Sequence, residues 1–426
     1  MNAQMKPATL ASVAHDIEAK IAHRSAVVAV VGLGAVGGVT AQLMAAAGFS
    51  TIGIDRSVER VKALRSELTV DNIRITNEAS AVAQADVIVI AVRVAASASG
   101  AELGALRAAL RSVQQFAQRP ALLLIESTVP AGSSRELANE YFGAGSLQAA
   151  LTCHCPERLR VGDGIPELRA TPRLVGGLSA YGTALGVRFL EQLGIRGVAT
   201  SGPEITELAK LTENTFLTTG IALMGEITRI AHRLGVSAHE VATAAATKPH
   251  GYYPFLPGAG VGGHCLMNDL ALLQQTAREM LIDTPLLAGV HEAADALSET
   301  VVRKLEALLD EHGVLLEQSA ICLVGVGFKP DCADVANTPA LHLTRELRAR
   351  GARVVYADSL VEQFEVDGHP LERHEGSHTF EHVDALVLVS GDRNFDLEDA
   401  RSRVHVILDA GGSRVMPAAA RLASPL

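Results

Sequence analysis

The most constraining feature of this 426-residue chain is Gly32-Leu33-Gly34-Ala35-Val36-Gly37, set directly after the apolar run Ala26–Val31 and opening into a helical stretch. Asp55 closes the next apolar run, Thr51–Ile54. Glycines at this spacing allow a tight turn after a strand. They also let a pyrophosphate come close to a helix N-terminus, where backbone N–H groups and the dipole favour anions. An acid at the end of the second strand accepts from ribose hydroxyls. A bare glycine-rich turn would not need strand, helix and acid together, so Gly32, Leu33, Gly34, Ala35, Val36, Gly37 and Asp55 read as a dinucleotide site. The carboxylate favours NAD by repelling a 2′-phosphate. Arg56 beside it keeps NADP as the alternative.

Two more short apolar runs, Asp86–Val92 and Ala121–Ile125, follow, separated by helical periodicity such as Val58–Leu68. Runs that are apolar throughout read as buried parallel strands, and their alternation with helices reads as a doubly wound sheet. Ahead of them, Leu10, Val13, Ile17 and Ile21 suggest a brief helix within a leader, 1–24. The texture changes at Pro203. Ile205, Leu208, Leu211, Thr215 and Phe216 form one stripe of a long helix reaching about Gly235. Helical character continues to about Leu309 around one Gly/Pro-rich loop, Lys248–Gly263. Strand runs return at Ala320–Val324, Arg353–Tyr356, Ala385–Val389 and Val404–Leu408. The fold class is therefore α/β: two Rossmann-like doubly wound domains, 25–202 and 313–426, joined by a central all-helical region, 203–312.

Composition narrows the function. The 37 basic against 47 acidic residues give a net charge of −10 with no Lys/Arg block, which argues against a nucleic-acid surface. The absence of tryptophan and an aromatic fraction of 4% argue against stacking platforms for single strands. The longest apolar run is interrupted by glycines and too short for a membrane span, and no signal core is visible. Five cysteines, an odd number thinly spread, fit reduced thiols in a cytoplasm.

Four further constellations could carry chemistry. Glu126-Ser-Thr128-Val-Pro-Ala-Gly132 follows a strand, and ligand sites of open α/β sheets lie at strand carboxyl ends. Thr128 is thus either a contact to cofactor or water, or a simple helix cap. Cys153-His-Cys155-Pro-Glu157-Arg158 invites a zinc reading, but no second Cys/His pair stands at ligand spacing, so no metal is expected and buried thiols account better for the cysteines. Glu157, after a proline at a strand end, is the more interesting group. Lys210 and Asn214 share one helix face, whether solvated or functional. In Pro257-Gly258-Ala-Gly260-Val-Gly262-Gly263-His-Cys265, glycines give backbone that ligands can approach and N–H groups able to bind anions. They precede a thiol at a helix N-terminus, which favours the thiolate, and Asp269 lies one turn beyond.

Together these residues resemble the UDP-glucose/GDP-mannose dehydrogenase family, most of all its branch acting on UDP-N-acetylated hexosamines. The resemblance runs from about Val27 to Asp409 through VVGLGAVGG, ESTVPAGSS, CPERL, ELAKLTENTFL, TKPHGYYPFLPGAGVGGHC and GVGFKPD. It implies a four-electron, NAD-dependent oxidation of a sugar primary alcohol to a carboxylate, and a homodimer formed through the helical region. It implies that Cys265 attacks the aldehyde, Lys210 and Asn214 hold the oxyanion, and Asp269, Thr128 and Glu157 handle water and protons. Thr128 and Glu157 would also border the cofactor. Glu157, Arg158, Lys210, Asn214, Lys248, Tyr252, Gly258, Gly260, Gly262, Phe328 and Lys329 are the implied contacts to a nucleotide-sugar substrate.

The chain departs from the family pattern at Arg93-Val-Ala-Ala, Leu266-Met-Asn-Asp269-Leu, His291-Glu-Ala-Ala294 and Asp334-Val-Ala336, where an arginine is expected. Two other readings stand beside the enzyme: a non-catalytic nucleotide-sugar binding protein, and a 3-hydroxyacid-type NAD dehydrogenase. Cys265 and the second α/β domain weigh against the latter.

Overall fold

The computed structural model describes residues 9–67, 70–97, 100–158, 165–374, 380 and 382–411. The first eight residues of the leader, and Leu68, lie outside them. The chain forms two compact units, 1–213 with 271–282, and 214–270 with 283–426.

The first unit is built on one eight-stranded sheet. Its spatial order is Gly197–Ala199, Arg173–Gly177, Thr152–His154, Leu122–Ile125, Val87–Ile90, Val27–Val31, Ser50–Ile54 and Ile73–Thr76. Every pairing is parallel except that between Thr152–His154 and Arg173–Gly177. The central strands are buried on both faces, which is why they read as unbroken apolar runs. Val28 and Val30 face one core with the helices Ala35–Ala46 and Ala180–Gln192, while Ala29 faces the other with Gly104–Phe116. The leader helix, Leu10–Ala22, is part of this unit: Ala14, Ile17 and Ile21 are buried in the first core.

The long helix runs Pro203–Arg233. In the second unit Gly220 and Gly225 sit where a Cβ would lie 2.0 Å from the Phe255 ring and 2.0 Å from Leu297 Cδ2. Those glycines permit close packing in a helical core that includes Ile221, Met224, Phe255, Val261 and Leu297. The helices Leu266–Glu279, Pro285–Asp295 and Leu297–Glu311 follow. The same unit carries a four-stranded parallel sheet in the order Arg353–Ala357, Ala320–Val324, Ala385–Leu388 and Val406–Asp409. Leu297–Glu311 and Pro339–Ala349 cover one face; Phe380, Leu397 and Ala400 cover the other. Strand ends differ from the sequence reading by a residue or two; Thr152–His154 is the strand it ended before Glu157, and Ile73–Thr76, Arg173–Gly177 and Gly197–Ala199 are strands it lacked.

Candidate functional site

In the first unit the glycine turn has the geometry its spacing implies. Gly32 has φ +91°, and a Cβ on Gly37 would lie 1.9 Å from the Gly32 carbonyl oxygen, so only glycine lets the helix begin this close to the strand. Gly34 is the N-cap of Ala35–Ala46 with open space on its Cβ side. Asp55 is fixed by two backbone donors: Leu33 N–H to Oδ2 at 2.8 Å and Ser57 N–H to Oδ1 at 2.9 Å. Arg60, rather than the exposed Arg56, reaches back to the Leu33 carbonyl at 2.9 Å. A cradle that any Cβ would fill, a helix N-terminus and a fixed carboxylate at the second strand end suit a dinucleotide.

The second unit repeats this device. Val326 N–H donates to Asp358 Oδ2 at 2.7 Å, and Gly325 N–H donates to the Ala357 carbonyl at 2.9 Å, as Gly32 N–H does to Ile54 at 2.8 Å. No helix opens after Gly327, however, and Asp331 N–H donates to the Gly391 carbonyl across the turn. A shallow surface cleft lies there, lined by Lys329, Asp358, Ser359 and Asp392 among others.

The segments bearing Thr128 and Glu157 are tied down in the first unit. Glu126 is fully buried and pairs with the equally buried Arg173 at 2.8 Å; burial pushes its carboxyl up against the opposing pull of Arg173. Arg173 also donates to the Cys155 carbonyl at 2.9 Å, two residues before Glu157, which is itself 8% exposed. The Cys153 and Cys155 thiols are buried and pushed up, Cys155 to about 11, so they are neutral. His154 is driven down to about 3, chiefly by burial. A neutral ring donating through Nε2 to the Ser127 carbonyl, 3.2 Å away, leaves Nδ1 to accept from the Thr206 hydroxyl at 2.8 Å. Among the described residues no group of three His, Cys, Asp or Glu side chains could hold a metal ion. Arg158 is engaged by Glu213 at 2.6 Å and by the Pro172 carbonyl at 2.7 Å. Lys210 is half-buried on the helix that carries Glu213.

In the second unit Cys265 is exposed and its carbonyl accepts from Asp269 N–H at 2.8 Å, so the thiol sits at the start of Leu266–Glu279. Asp269 is 2% exposed, and Asn214 Nδ2 donates to its Oδ2 at 2.6 Å. The glycines before the cysteine have a packing reason beside the expected one. A Cβ on Gly262 would meet Pro339 Cδ at 3.0 Å and Phe328 Cβ at 3.1 Å; one on Gly263, where φ is +83°, would meet the Phe328 ring at 3.2 Å. Gly263 N–H donates to the Ala336 carbonyl at 3.1 Å, and Asn337 Nδ2 donates to the Gly263 carbonyl at 3.3 Å. Phe328 and the turn lacking an arginine at Ala336 thus hold the cysteine loop, while Gly258 has open space. Lys329 Nζ lies 5.8 Å from the Phe328 ring centre; Lys248 and Tyr252 are exposed. The sequence reading gave no role to Glu126, Arg173, His154 or Glu207. Their only signal was position, at or beside strand ends and within ELAKLTEN.

Three family models match the chain. The NAD binding domain of the UDP-glucose/GDP-mannose dehydrogenase family matches residues 26–192, the central domain 204–296 and the UDP binding domain 322–412. A UDP-N-acetyl-D-mannosamine dehydrogenase of Pyrococcus horikoshii is 28% identical over 340 residues, 75% of this chain and 80% of that protein. An NDP-N-acetyl-D-galactosaminuronic acid dehydrogenase of Ralstonia nicotianae is 25% identical over 416 residues, 90% of this chain and 95% of that one. The solved UDP-D-ManNAc dehydrogenase of Pyrococcus horikoshii superposes with a TM-score of 0.81 at 25% identity, covering 92% of this chain and 97% of that one. The models span all three parts of the chain, which sets aside a 3-hydroxyacid dehydrogenase. The chain belongs to the UDP-glucose/GDP-mannose dehydrogenase family and is an NAD-dependent nucleotide-sugar dehydrogenase.

Proposed function

We propose that the protein oxidises the primary alcohol of a UDP-N-acetylhexosamine or related UDP-hexose to the uronate, in two steps through a covalent thioester on Cys265. The observation that carries this reading is the exposed Cys265 thiol at a helix start, with buried Asp269 one turn further along that helix and held by Asn214 of the long helix. The names of the relatives support the N-acetylhexosamine.

Gly32–Gly37 and Asp55 would hold NAD, with Thr128 and Glu157 beside it, and the cofactor would supply the electron acceptor, two molecules in turn each taking two electrons. Cys265 attacks the aldehyde carbon once it has formed, making a C–S bond and leaving an oxyanion. Lys210 and Asn214 stabilise that oxyanion. Asn214 spends one amide hydrogen on Asp269 and keeps the second for substrate. After the thiohemiacetal carbon is oxidised, Asp269 orients a water that adds to the thioester carbonyl. The C–S bond breaks, the carboxylate leaves and the thiol takes back a proton. Glu157 and Thr128 hold the protons of the first oxidation. Arg158, Lys248, Tyr252, Gly258, Gly260, Gly262, Phe328 and Lys329 contact the nucleotide and sugar, with the roles of Gly262 and Phe328 shared with loop packing.

We also propose a homodimer in a cytoplasmic setting, with functional parts 1–24, 25–202, 203–312 and 313–426. Phe216, Leu223 and Ile230, seven residues apart on the long helix, are 53%, 57% and 56% exposed, an apolar stripe suited to a two-fold partner. No helix among the described residues is long and apolar enough to cross a membrane. Conversion of a panel of UDP-sugars by the purified protein, with mass detection of the uronate, tests the substrate; sedimentation tests the dimer.

A further inference from the structure

The buried carboxylate of Glu207 has no part in the chemistry above, yet both of its oxygens are engaged. It accepts from Gly132 N–H at 2.6 Å through Oε2 and from Ser134 N–H at 2.8 Å through Oε1. Those donors open the helix Ser133–Phe142, whose N-cap is Gly132 with φ +97° and no side-chain cap of its own. Glu207 therefore caps that helix from 73 residues away. Its neighbour Thr206 meets His154, whose ring also reaches the Ser127 carbonyl. One turn of helix thus clasps both loops of interest: the loop with Thr128 through Ser127, Gly132 and Ser134, and the strand end leading to Glu157 through His154. Lys210 follows Glu207 by three residues, on the same helix.

We infer that Glu207 is a positioning residue that fixes the register of the Lys210 helix against the Thr128 and Glu157 loops. The inference rests on the reading of Lys210 and Thr128 as site residues. A carboxylate suits this task because both oxygens accept; an amide in its place turns one bond into an N–H facing an N–H. Glu204, one turn earlier, and Arg135, on the capped helix, act on Glu207 through charge, and Lys210 lies one turn later; Glu204 and Arg135 pair with each other, Arg135 Nη2 lying 3.2 Å from Glu204 Oε2. Burial pushes the Glu207 carboxyl up to about 7, against the Gly132 and Ser134 N–H groups, which favour its charged form.

The test is Glu207→Gln and Glu207→Asp, with Glu204→Gln as the control for lost charge on the same turn. Glu207→Gln is expected to lower kcat about tenfold to hundredfold, the size of effect that slight misplacement of reacting groups produces. KM for NAD should rise by less than kcat falls, because Thr128 and Glu157 only border NAD while Gly32–Gly37 and Asp55, outside the clasped loops, hold it. The pH dependence of kcat should lose a transition near neutrality, and Glu207→Asp should restore part of the rate. Unchanged kcat and pH profile in Glu207→Gln overturn the inference. So does a loss that only follows the melting temperature and is not eased by aspartate. Lys210→Ala, run alongside, separates the two ideas: if it keeps full activity the site reading fails, whereas if it is inactive and Glu207→Gln is normal only the positioning role fails.

Discussion

Asn214 Nδ2 lies 2.6 Å from Oδ2 of Asp269, an acid only 2% exposed, and this bond joins the long helix to the helix that begins after Cys265. Losing this donor costs part of the compensation for a buried carboxylate, to whose Oδ1 Asn268 Nδ2 also donates at 3.3 Å. Asn214→Ala should therefore destabilise the protein by about 1–3 kcal/mol besides slowing it. Asp269→Asn should leave the fold intact but lower turnover on the order of 10²-fold. Chemical denaturation and steady-state rates on the two variants distinguish these effects.

The loop before Cys265 should tolerate no side chain at Gly263. The left-handed φ of +83° and the Phe328 ring at 3.2 Å from a Cβ both oppose alanine. Gly263→Ala should cost roughly 1–2 kcal/mol from the backbone alone. It should also alter the alkylation rate of Cys265 by iodoacetamide, which is read without substrate. Gly258→Ala, with open space around it, should change neither stability nor alkylation.

Buried His154 makes the protein acid-sensitive in a defined window. Its folded pKa is depressed to about 3 from 6.5, so below pH 6.5 the unfolded chain binds a proton that the folded chain refuses. The stability contributed by neutral His154 is complete above pH 6.5 and is lost as pH falls toward 3, amounting to about 2 kcal/mol by pH 5. His154→Gln should flatten the fall of melting temperature between pH 6.5 and 5; an unchanged slope would place the sensitivity elsewhere.

Cofactor choice follows from Asp55, fixed by the N–H groups of Leu33 and Ser57. NAD should exceed NADP at least tenfold in kcat/KM, about 1.4 kcal/mol. Asp55→Ser should narrow that gap, and equal efficiency in the wild type would give Arg56 the upper hand.

The dinucleotide turn was legible because its constraints are local: Gly32, Gly34 and Gly37 act within six residues, and Asp55 ends the next strand. The strand Arg173–Gly177 escaped notice because it carries a polar residue buried only by a tertiary partner, Glu126 for Arg173. Gly220 and Gly225 weakened the helix pattern for the same reason, their space being taken by Phe255 and Leu297. Gly262 and Gly263 suggested ligand access by composition, whereas Phe328 and Pro339, over sixty residues away, supply a second reason for glycine. Glu207 sat in plain view inside a recognised motif, but its cap on Gly132 and Ser134 exists only once the chain has folded.

The central claim is that Cys265 carries the sugar through a thioester, and the stoichiometry of NADH tests it most directly. With a UDP-N-acetylhexosamine consumed to completion, NADH and uronate should be measured together for the wild type and for Cys265→Ser. The account predicts about two NADH per sugar, with the acid as product, and a Cys265→Ser variant nearly inactive in the full reaction because the hydroxyl is a far poorer nucleophile at neutral pH. A ratio of one with aldehyde as product, or full turnover to the uronate by Cys265→Ser, would contradict it.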